Sequence, residues 1–395
     1  MTPAARLQAA IDLLDEIVAG ARTSGSAADA IVARYFKTRR YAGSKDRRAV
    51  RDLVYRAIRR WGEPPPSGRA AMLLVAREEP ELLALFDGSP HAPAAPAEGE
   101  GVDPRKVKTL PKWLLARFDP LIETREWHTL LQRAPLDLRV NLLKGNREEA
   151  LAALPEATSS PLSPLGLRLP EGFRVEESEA WAQGLVEIQD EGSQLLSLAC
   201  GARPGMTVLD LCAGAGGKTL ALAAAMGNQG RLIASDTDRG RLSRMAPRLT
   251  RAGVTIAETI LLDPNREREA LADVMGRPDI VLIDAPCSGT GTWRRNPELR
   301  WRLNPERLAR FVKLQAHLLD LAAELVRPGG RIVYAVCSLL REEGRRQAED
   351  FTGRSAMVPE SLDIEGGRAA GPGRILTPAH DGTDGFFVAR WQAPC

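Results

Sequence analysis

Long apolar runs are missing from this 395-residue chain, and no stretch approaches the roughly 20 apolar residues that a membrane-spanning helix needs. The start does not read as a signal peptide either. Met1 to Val18 interrupts its apolar residues with Arg6, Asp12, Asp15 and Glu16, which is the pattern of an amphipathic helix. Histidine is scarce: His91, His128, His317 and His380 are scattered, so a histidine metal cluster is not expected and the metal assignment is none. Cysteine is scarce too. Cys200, Cys212, Cys287, Cys337 and Cys395 are odd in number and include no CxxC pair, which points away from a disulfide framework or zinc site. The expectation is a cytoplasmic protein with free thiols in a reducing compartment. A P-loop is also absent, because the first glycine of GxxxxGKS/T would fall at Cys212.

Net charge is small, +3, but its distribution is uneven. From Lys37 to Arg60 the segment KTRRYAGSKDRRAVRDLVYRAIRR sets many lysines and arginines against only Asp46 and Asp52. A solvated helix face would account for this, and so would an electrostatic footprint for nucleic acid. The chain around it divides by texture. Residues 1–87 carry helical periodicity, with Leu7, Ala10, Ile11, Leu14, Ile17 and Val18 on one face. Residues 88–105 contain GSPHAPAAPAEGEG, rich in proline, alanine and glycine, and read as a semi-stiff linker. Residues 106–178 read as a small α/β unit with strands at Leu136–Leu142, Gly166–Leu169 and Phe173–Val175. Residues 179–395 alternate strands and helices, which implies a doubly wound, mostly parallel sheet with helices on both faces.

The last region is arranged around VLDLCAGAGGKT, Val208 to Thr219. A buried strand turns through Gly214, Gly216 and Gly217 into an alanine- and leucine-rich helix. Glycines there permit a sharp bend and close approach of a ligand to the backbone amides. About 20 residues further on, a second apolar run ends in Asp236, where such folds place a carboxylate on ribose hydroxyls. A tight turn without a ligand would need none of these partners, so strand, glycines, helix and acidic strand end together favour a nucleoside cofactor. Asp210, Asp236, Asp263, Asp284 and Cys337 all lie at or just past strand ends, where open α/β sheets bind their ligands.

Asp284-Ala285-Pro286-Cys287 follows one strand and Cys337-Ser338 another. Two thiols and a carboxylate on one sheet edge suit covalent attack on a ring. A thiolate adding to carbon 6 of cytosine makes carbon 5 nucleophilic, and an acid at nitrogen 3, such as an aspartic acid kept neutral by burial, offsets the developing charge. The base must be unstacked to reach the thiol. Cys200 and Cys212 read as small buried hydrophobes. Arg294 and Arg295 fit phosphate contact, stabilisation of a thiolate or plain solvation.

These motifs together resemble the RsmB/NOP (Fmu/Sun) family of S-adenosylmethionine-dependent RNA cytosine-5 methyltransferases. The resemblance rests on PLDLRVN, EIQDEGSQL, LDLCAGAGGKT, the aspartate of SDTDRGRLSR, DAPCSGTGTWRRNPE, YAVCS and TDGFFVARW, from about Lys106 to the end. The N-terminal helices, through DRRAVRDLVYRAIRR, resemble the NusB-like RNA-binding domain of the bacterial 16S rRNA branch. The resemblance implies a Rossmann-like class I methyltransferase domain preceded by a small α/β domain and an all-α NusB-like domain. It implies S-adenosyl-L-methionine as cofactor, held by Cys212, Ala213, Gly214, Ala215, Gly216, Gly217, Lys218, Asp236, Asp263 and Asp284. Cys337 would be the nucleophile, Cys287 would assist release, and Asp284 would also reach the target base. The chain departs from the family pattern CAAPGGK at Gly214 and Ala215, and from its threonine before the nucleophile at Val336. The expected partner is RNA, 16S rRNA first and tRNA as the alternative, with no membrane and a monomeric state. Two other classes stay open: a non-catalytic RNA-binding ribosome-assembly protein, and a nicotinamide-dependent oxidoreductase, which would leave the paired thiols unexplained.

Overall fold

The computed structural model describes residues 1–23 and 26–395. They form two compact units: Met1–Phe118 with Trp293–Pro305, and Asp119–Thr292 with Glu306–Cys395. Among the described residues no helix is long and apolar enough to cross a membrane.

The first unit is helical. Its helices α1 (Pro3–Thr23), α2 (Ala28–Thr38), α3 (Ser44–Arg60) and α4 (Gly68–Glu78) follow the apolar spacing of the sequence. Leu7, Leu14 and Ile17 of α1 meet Val50, Val54 and Ile58 of α3 and Met72 of α4 in one buried core. Gly68 lets α4 begin directly on α1, because a Cβ there would lie 2.2 Å from the Ile11 carbonyl oxygen. After a short helix at Pro80–Leu83, the proline- and glycine-rich stretch 88–101 forms no helix, and Glu100 receives both Arg69 Nε (2.6 Å) and Nη2 (3.0 Å). Trp293–Pro305, which comes much later in the chain, closes the end of α3. The buried Arg300 donates to the Ile58 carbonyl at 2.8 Å, and Trp301 Nε1 donates to the Trp61 carbonyl at 2.7 Å. A guanidinium at a helix C-terminus satisfies carbonyls that the helix leaves unpaired.

The second unit holds two sheets. Strands β1 (Leu136–Val140), β2 (Thr158–Ser159), β3 (Gly166–Leu169) and β4 (Val186–Ile188) form an antiparallel sheet in the order β2-β3-β1-β4. Leu138 stands opposite Leu167 on one side and Ile188 on the other. Asn146 caps the short helix Arg147–Ala153 in a reciprocal box with Glu149. The strand expected at Phe173–Val175 is not formed; Val175–Glu177 is a turn of 3₁₀ helix. Acidic Glu176 and Glu177 follow Val175 directly, so the alternation there is too short to carry a ladder.

The larger sheet contains β5 (Thr207–Asp210), β6 (Arg231–Asp236), β7 (Ala257–Leu261), β8 (Ile280–Asp284), β9 (Arg331–Val336), β10 (Val358–Glu360), β11 (Arg368–Ala370), β12 (Gly373–Leu376) and β13 (Phe386–Gln392). Its order is β11-β12-β13-β9-β8-β5-β6-β7, and β10 pairs the last residues of β13, Arg390–Gln392, beyond the end of β12. The run from β7 to β9 is parallel, and β13 enters antiparallel against β9. Buried runs such as Ile280–Ile283 are what a strand covered on both faces requires. Strand order reverses at β5, with β6 on one side and β8 on the other, so the crevice beyond their ends is the switch point of the sheet.

Gly291 and Gly385 join the ends of this sheet backbone to backbone. Gly385 N–H donates to the Gly291 carbonyl at 2.8 Å, and Gly291 N–H donates to the Cys337 carbonyl at 3.0 Å. A Cβ on Gly291 would sit 1.9 Å from the Gly385 carbonyl oxygen, whereas one on Gly353 meets nothing within 4 Å. Gly291→Ala should therefore lower stability by about 1–3 kcal/mol through overpacking. Gly353→Ala, in helix Arg345–Arg354, should raise it by up to about 1 kcal/mol. Urea unfolding of both variants checks the pair, and equal shifts would contradict the packing described.

Candidate active site

The glycine turn after β5 is held from three directions. Ala213 N–H donates to the Ser235 carbonyl at 2.8 Å, so the turn follows β6 beyond the sheet. Gly214 N–H donates to Asp236 Oδ2 at 2.8 Å, and Asp238 N–H to Asp236 Oδ1 at 2.8 Å. Arg248 Nη1 donates to the Ala215 carbonyl at 2.8 Å, while its Nη2 reaches Glu187 of β4 at 3.1 Å. Gly214 and Gly216 take left-handed φ values of 57° and 87°, which explains glycine at both positions. At Gly217 a Cβ would meet nothing within 4 Å, so the start of helix Gly217–Ala225 is open.

Carboxylates gather at this edge. Asp210 is fully buried; Thr219 Oγ1 donates to its Oδ2 at 2.7 Å, and its Oδ1 has no protein partner. Burial pushes its carboxyl up to about 7 against the Thr219 bond, and the nearby Asp284 charge adds to the rise. Lys218 Nζ lies 2.7 Å from Asp284 Oδ2. Burial alone would lower the Lys218 ammonium, but the carboxylates of Asp284 and Asp210 outweigh it and hold the group protonated. Asp284 is therefore not the buried acid that the sequence suggests. Its side chain is 34% exposed, and it is ion-paired rather than isolated. Asp263 lies exposed just past β7, after Leu262, whose N–H donates to the Asp236 carbonyl at 2.9 Å.

The two thiols meet. β8 and β9 are parallel neighbours, and Cys287 Sγ lies 3.3 Å from Cys337 Sγ, both partly exposed. The Cys337 sulfur, burial and the Glu343 charge together push the Cys287 thiol well up. Cys200 is fully buried and its thiol is pushed up to about 12 by burial; burial raises Cys212 likewise. A raised thiol holds less of the nucleophilic thiolate. Arg294 and Arg295 fall on the segment that folds with the helical unit, where Arg294 is buried.

Sequence reading passed over Glu343. It is fully buried, and nothing in LLREEG distinguishes it from the neighbouring Glu342. Thr219, Ser288, Ser338 and Arg248 also act only through contacts made in three dimensions. The acidic end of β6 and the glycine spacing were the legible part.

Strand order, glycine turn and acidic strand ends define a Rossmann-like methyltransferase fold. Residues 198–392 match the family model described as 16S rRNA methyltransferase RsmB/F. The probable ribosomal RNA small subunit methyltransferase B of Synechocystis sp. is 33% identical over 299 residues, covering 71% of this chain and 66% of that protein. Ribosomal RNA small subunit methyltransferase B of Klebsiella pneumoniae is 35% identical over 288 residues, covering 71% of this chain and 65% of that protein. The matches thus span just under two thirds of the length of these relatives. Among solved structures, PH0851 superposes with a TM-score of 0.76 at 25% identity over 99% of each chain.

Asp210 yields a pH prediction. Its folded value, about 7, lies above the ordinary 3.8. Its stabilising contribution is therefore complete below the unfolded value and lost as pH rises through the folded one. Relative to Asp210→Asn, which stays neutral, the wild type should lose a few kcal/mol of stability between about pH 4 and pH 7. Urea midpoints of both proteins across that range measure it; a constant difference would mean that Asp210 is ionised throughout.

Proposed function

We propose that this protein transfers a methyl group from S-adenosylmethionine to carbon 5 of a cytosine in 16S ribosomal RNA through a covalent cysteine–cytosine intermediate. The observation that carries the reading is the thiol pair, 3.3 Å apart at the ends of adjacent parallel strands and close to the Lys218–Asp284 ion pair. A nicotinamide enzyme has no use for two such sulfurs.

The residues fit the donor. S-adenosylmethionine supplies an electrophilic methyl on a positively charged sulfonium. Asp236, at the end of β6, suits the ribose hydroxyls, and its two backbone hydrogen bonds fix its orientation. The open start at Gly217 offers room for the donor. Asp263 would lie by the adenine.

Cys337 Sγ, its proton lost to solvent, bonds as the thiolate to ring carbon 6, and the electron pair of the 5,6 double bond moves to carbon 5. Asp284, taking a proton from Lys218 across their 2.7 Å contact, would give it to nitrogen 3, where negative charge develops, and take it back when the ring is restored. Carbon 5 then takes the methyl group. Cys287, having first released its own proton to solvent, receives the proton from carbon 5, and the sulfur–carbon 6 bond breaks with its electrons returning to Cys337. This division of labour has an electrostatic reason. The Cys337 sulfur is the first cause holding Cys287 in the thiol form, and that constraint ends once Cys337 is bonded to carbon.

RNA would be gripped in part by the basic helical unit. Arg39 lies over the Tyr35 ring at 3.6 Å, and Arg47 and Arg51 lie near the rings of Phe36 and Tyr55. Arg56 and Arg60 instead pair with Glu79 and Glu78, so only part of the basic run faces outward uncompensated.

Cys337→Ala should abolish both turnover and covalent RNA capture. Cys287→Ala should accumulate an RNA–protein adduct, because the methylated intermediate forms and is not released. Denaturing gels with labelled 16S RNA and S-adenosylmethionine show the adduct as a slow band; a band in Cys337→Ala alone would reverse the two roles.

A further inference from the structure

Behind the thiols lies a buried carboxyl group that the reading above does not use. Glu343 Oε1 accepts from the Ser288 N–H at 2.9 Å and from Gln315 Nε2 at 3.0 Å. Its Oε2 accepts from Ser338 Oγ at 2.6 Å and from the Ser288 hydroxyl. Ser288 directly follows Cys287, and Ser338 directly follows Cys337. One carboxyl group therefore holds both thiol-bearing loops by the residue next to each sulfur. The surroundings reinforce it. Gln315 Nε2 also donates to the Pro286 carbonyl at 2.9 Å, on the other side of Cys287. Thr290 Oγ1 accepts from the Leu339 N–H at 2.9 Å and lies 3.1 Å from Ser338 Oγ. Tyr334 Oη donates to the Glu343 carbonyl at 2.6 Å, which fixes the backbone of the clasping residue.

A buried carboxyl group is costly unless its oxygens are satisfied, and an apolar residue would fill the same space without that cost. Here every bond goes either to a loop carrying a thiol or to Gln315, itself bonded to such a loop. Burial raises the Glu343 carboxyl, and the bonds from Ser288, Ser338 and Gln315 counter that rise.

We propose that Glu343 is a positioning residue for the two-thiol chemistry: it fixes Cys287 and Cys337 at a separation that lets one sulfur attack the ring while the other stands ready for release. This rests on the cytosine-5 reading, and its test separates the two. The first readout needs neither RNA nor donor. Diamide takes one hydrogen from each of two neighbouring thiols and leaves a disulfide, and peptide mass spectrometry gives the rate for the Cys287–Cys337 pair. The second readout is kcat and KM for methylation of 16S RNA. Glu343→Ala should slow both crosslinking and kcat, the latter on the order of a hundredfold, as misplacement of reacting groups by about 1 Å does. KM for RNA and donor should stay near wild type. Glu343→Gln keeps an oxygen for the Ser288 N–H and an amide that rotating hydroxyls can accept from, and should restore most of both rates. Ser338→Ala deletes one arm only, keeps the fold if Glu343→Ala does not, and should give a smaller loss of both.

Crosslinking and kcat at wild-type levels in the folded Ser338→Ala and Glu343→Ala proteins would overturn the proposal. So would a folded Glu343→Gln protein as slow as Glu343→Ala, since the carboxylate charge rather than its grip would then be what matters. Wild-type protein that crosslinks rapidly yet never methylates RNA would overturn the cytosine-5 reading while leaving the clasp standing.

Discussion

Lys218 carries its ammonium into an edge crowded with carboxylates, and the site depends on that placement. Its Nζ sits 2.7 Å from Asp284, and the carboxylates of Asp284 and Asp210 keep it charged despite burial. The lysine leaves the first turn of the helix after β5, whereas Asp284 ends β8. One ion pair thus joins the glycine turn to the loop that bears Cys287. Without the cation, negative groups would face each other in a poorly solvated crevice. The same excess of carboxylate is what a cationic methyl donor would meet on entering.

A second constraint is mechanical. β8 and β9 are parallel neighbours, so the residues beyond their ends emerge side by side. The Gly291–Gly385 contact and the Glu343 clasp then tie three separate stretches of chain together at that point. Parallel pairing brings the sulfurs to the same edge, and the loops set their distance. On the opposite side of the glycine turn, Arg248 links the Ala215 carbonyl to Glu187 in the smaller sheet. That bond anchors the turn where this chain has alanine in place of the family proline.

Much of this was legible in the sequence because it is local. Gly214 and Gly216 announce a turn needing left-handed φ, Asp236 ends an apolar run, and Arg331–Val336 reads as a strand with the limits the structure gives. Less legible were pieces whose stability comes from partners distant in sequence. Val186–Ile188 is a strand only because Val140 and Leu138 stand beside it, and Arg368–Ala370 only because β12 does. Nothing local marks Glu343; its role comes from Ser288 and Ser338, which the fold places against it. Asp284 is 34% exposed rather than buried, and the lysine that pairs with it lies 66 positions earlier, beyond the reach of local pattern.

The central claim is that a cysteine at the end of β9 forms a bond to cytosine. RNA carrying 5-fluorocytidine tests it directly, because carbon 5 then has no proton to lose and the covalent complex cannot resolve. Wild-type protein incubated with S-adenosylmethionine and 16S RNA fully substituted in this way, then digested and sequenced by mass spectrometry, should carry one methylated fluorocytosine nucleotide on Cys337. A nucleotide on Cys287, or methyl transfer to unsubstituted RNA with no trapped complex on the fluorinated one, would contradict the account.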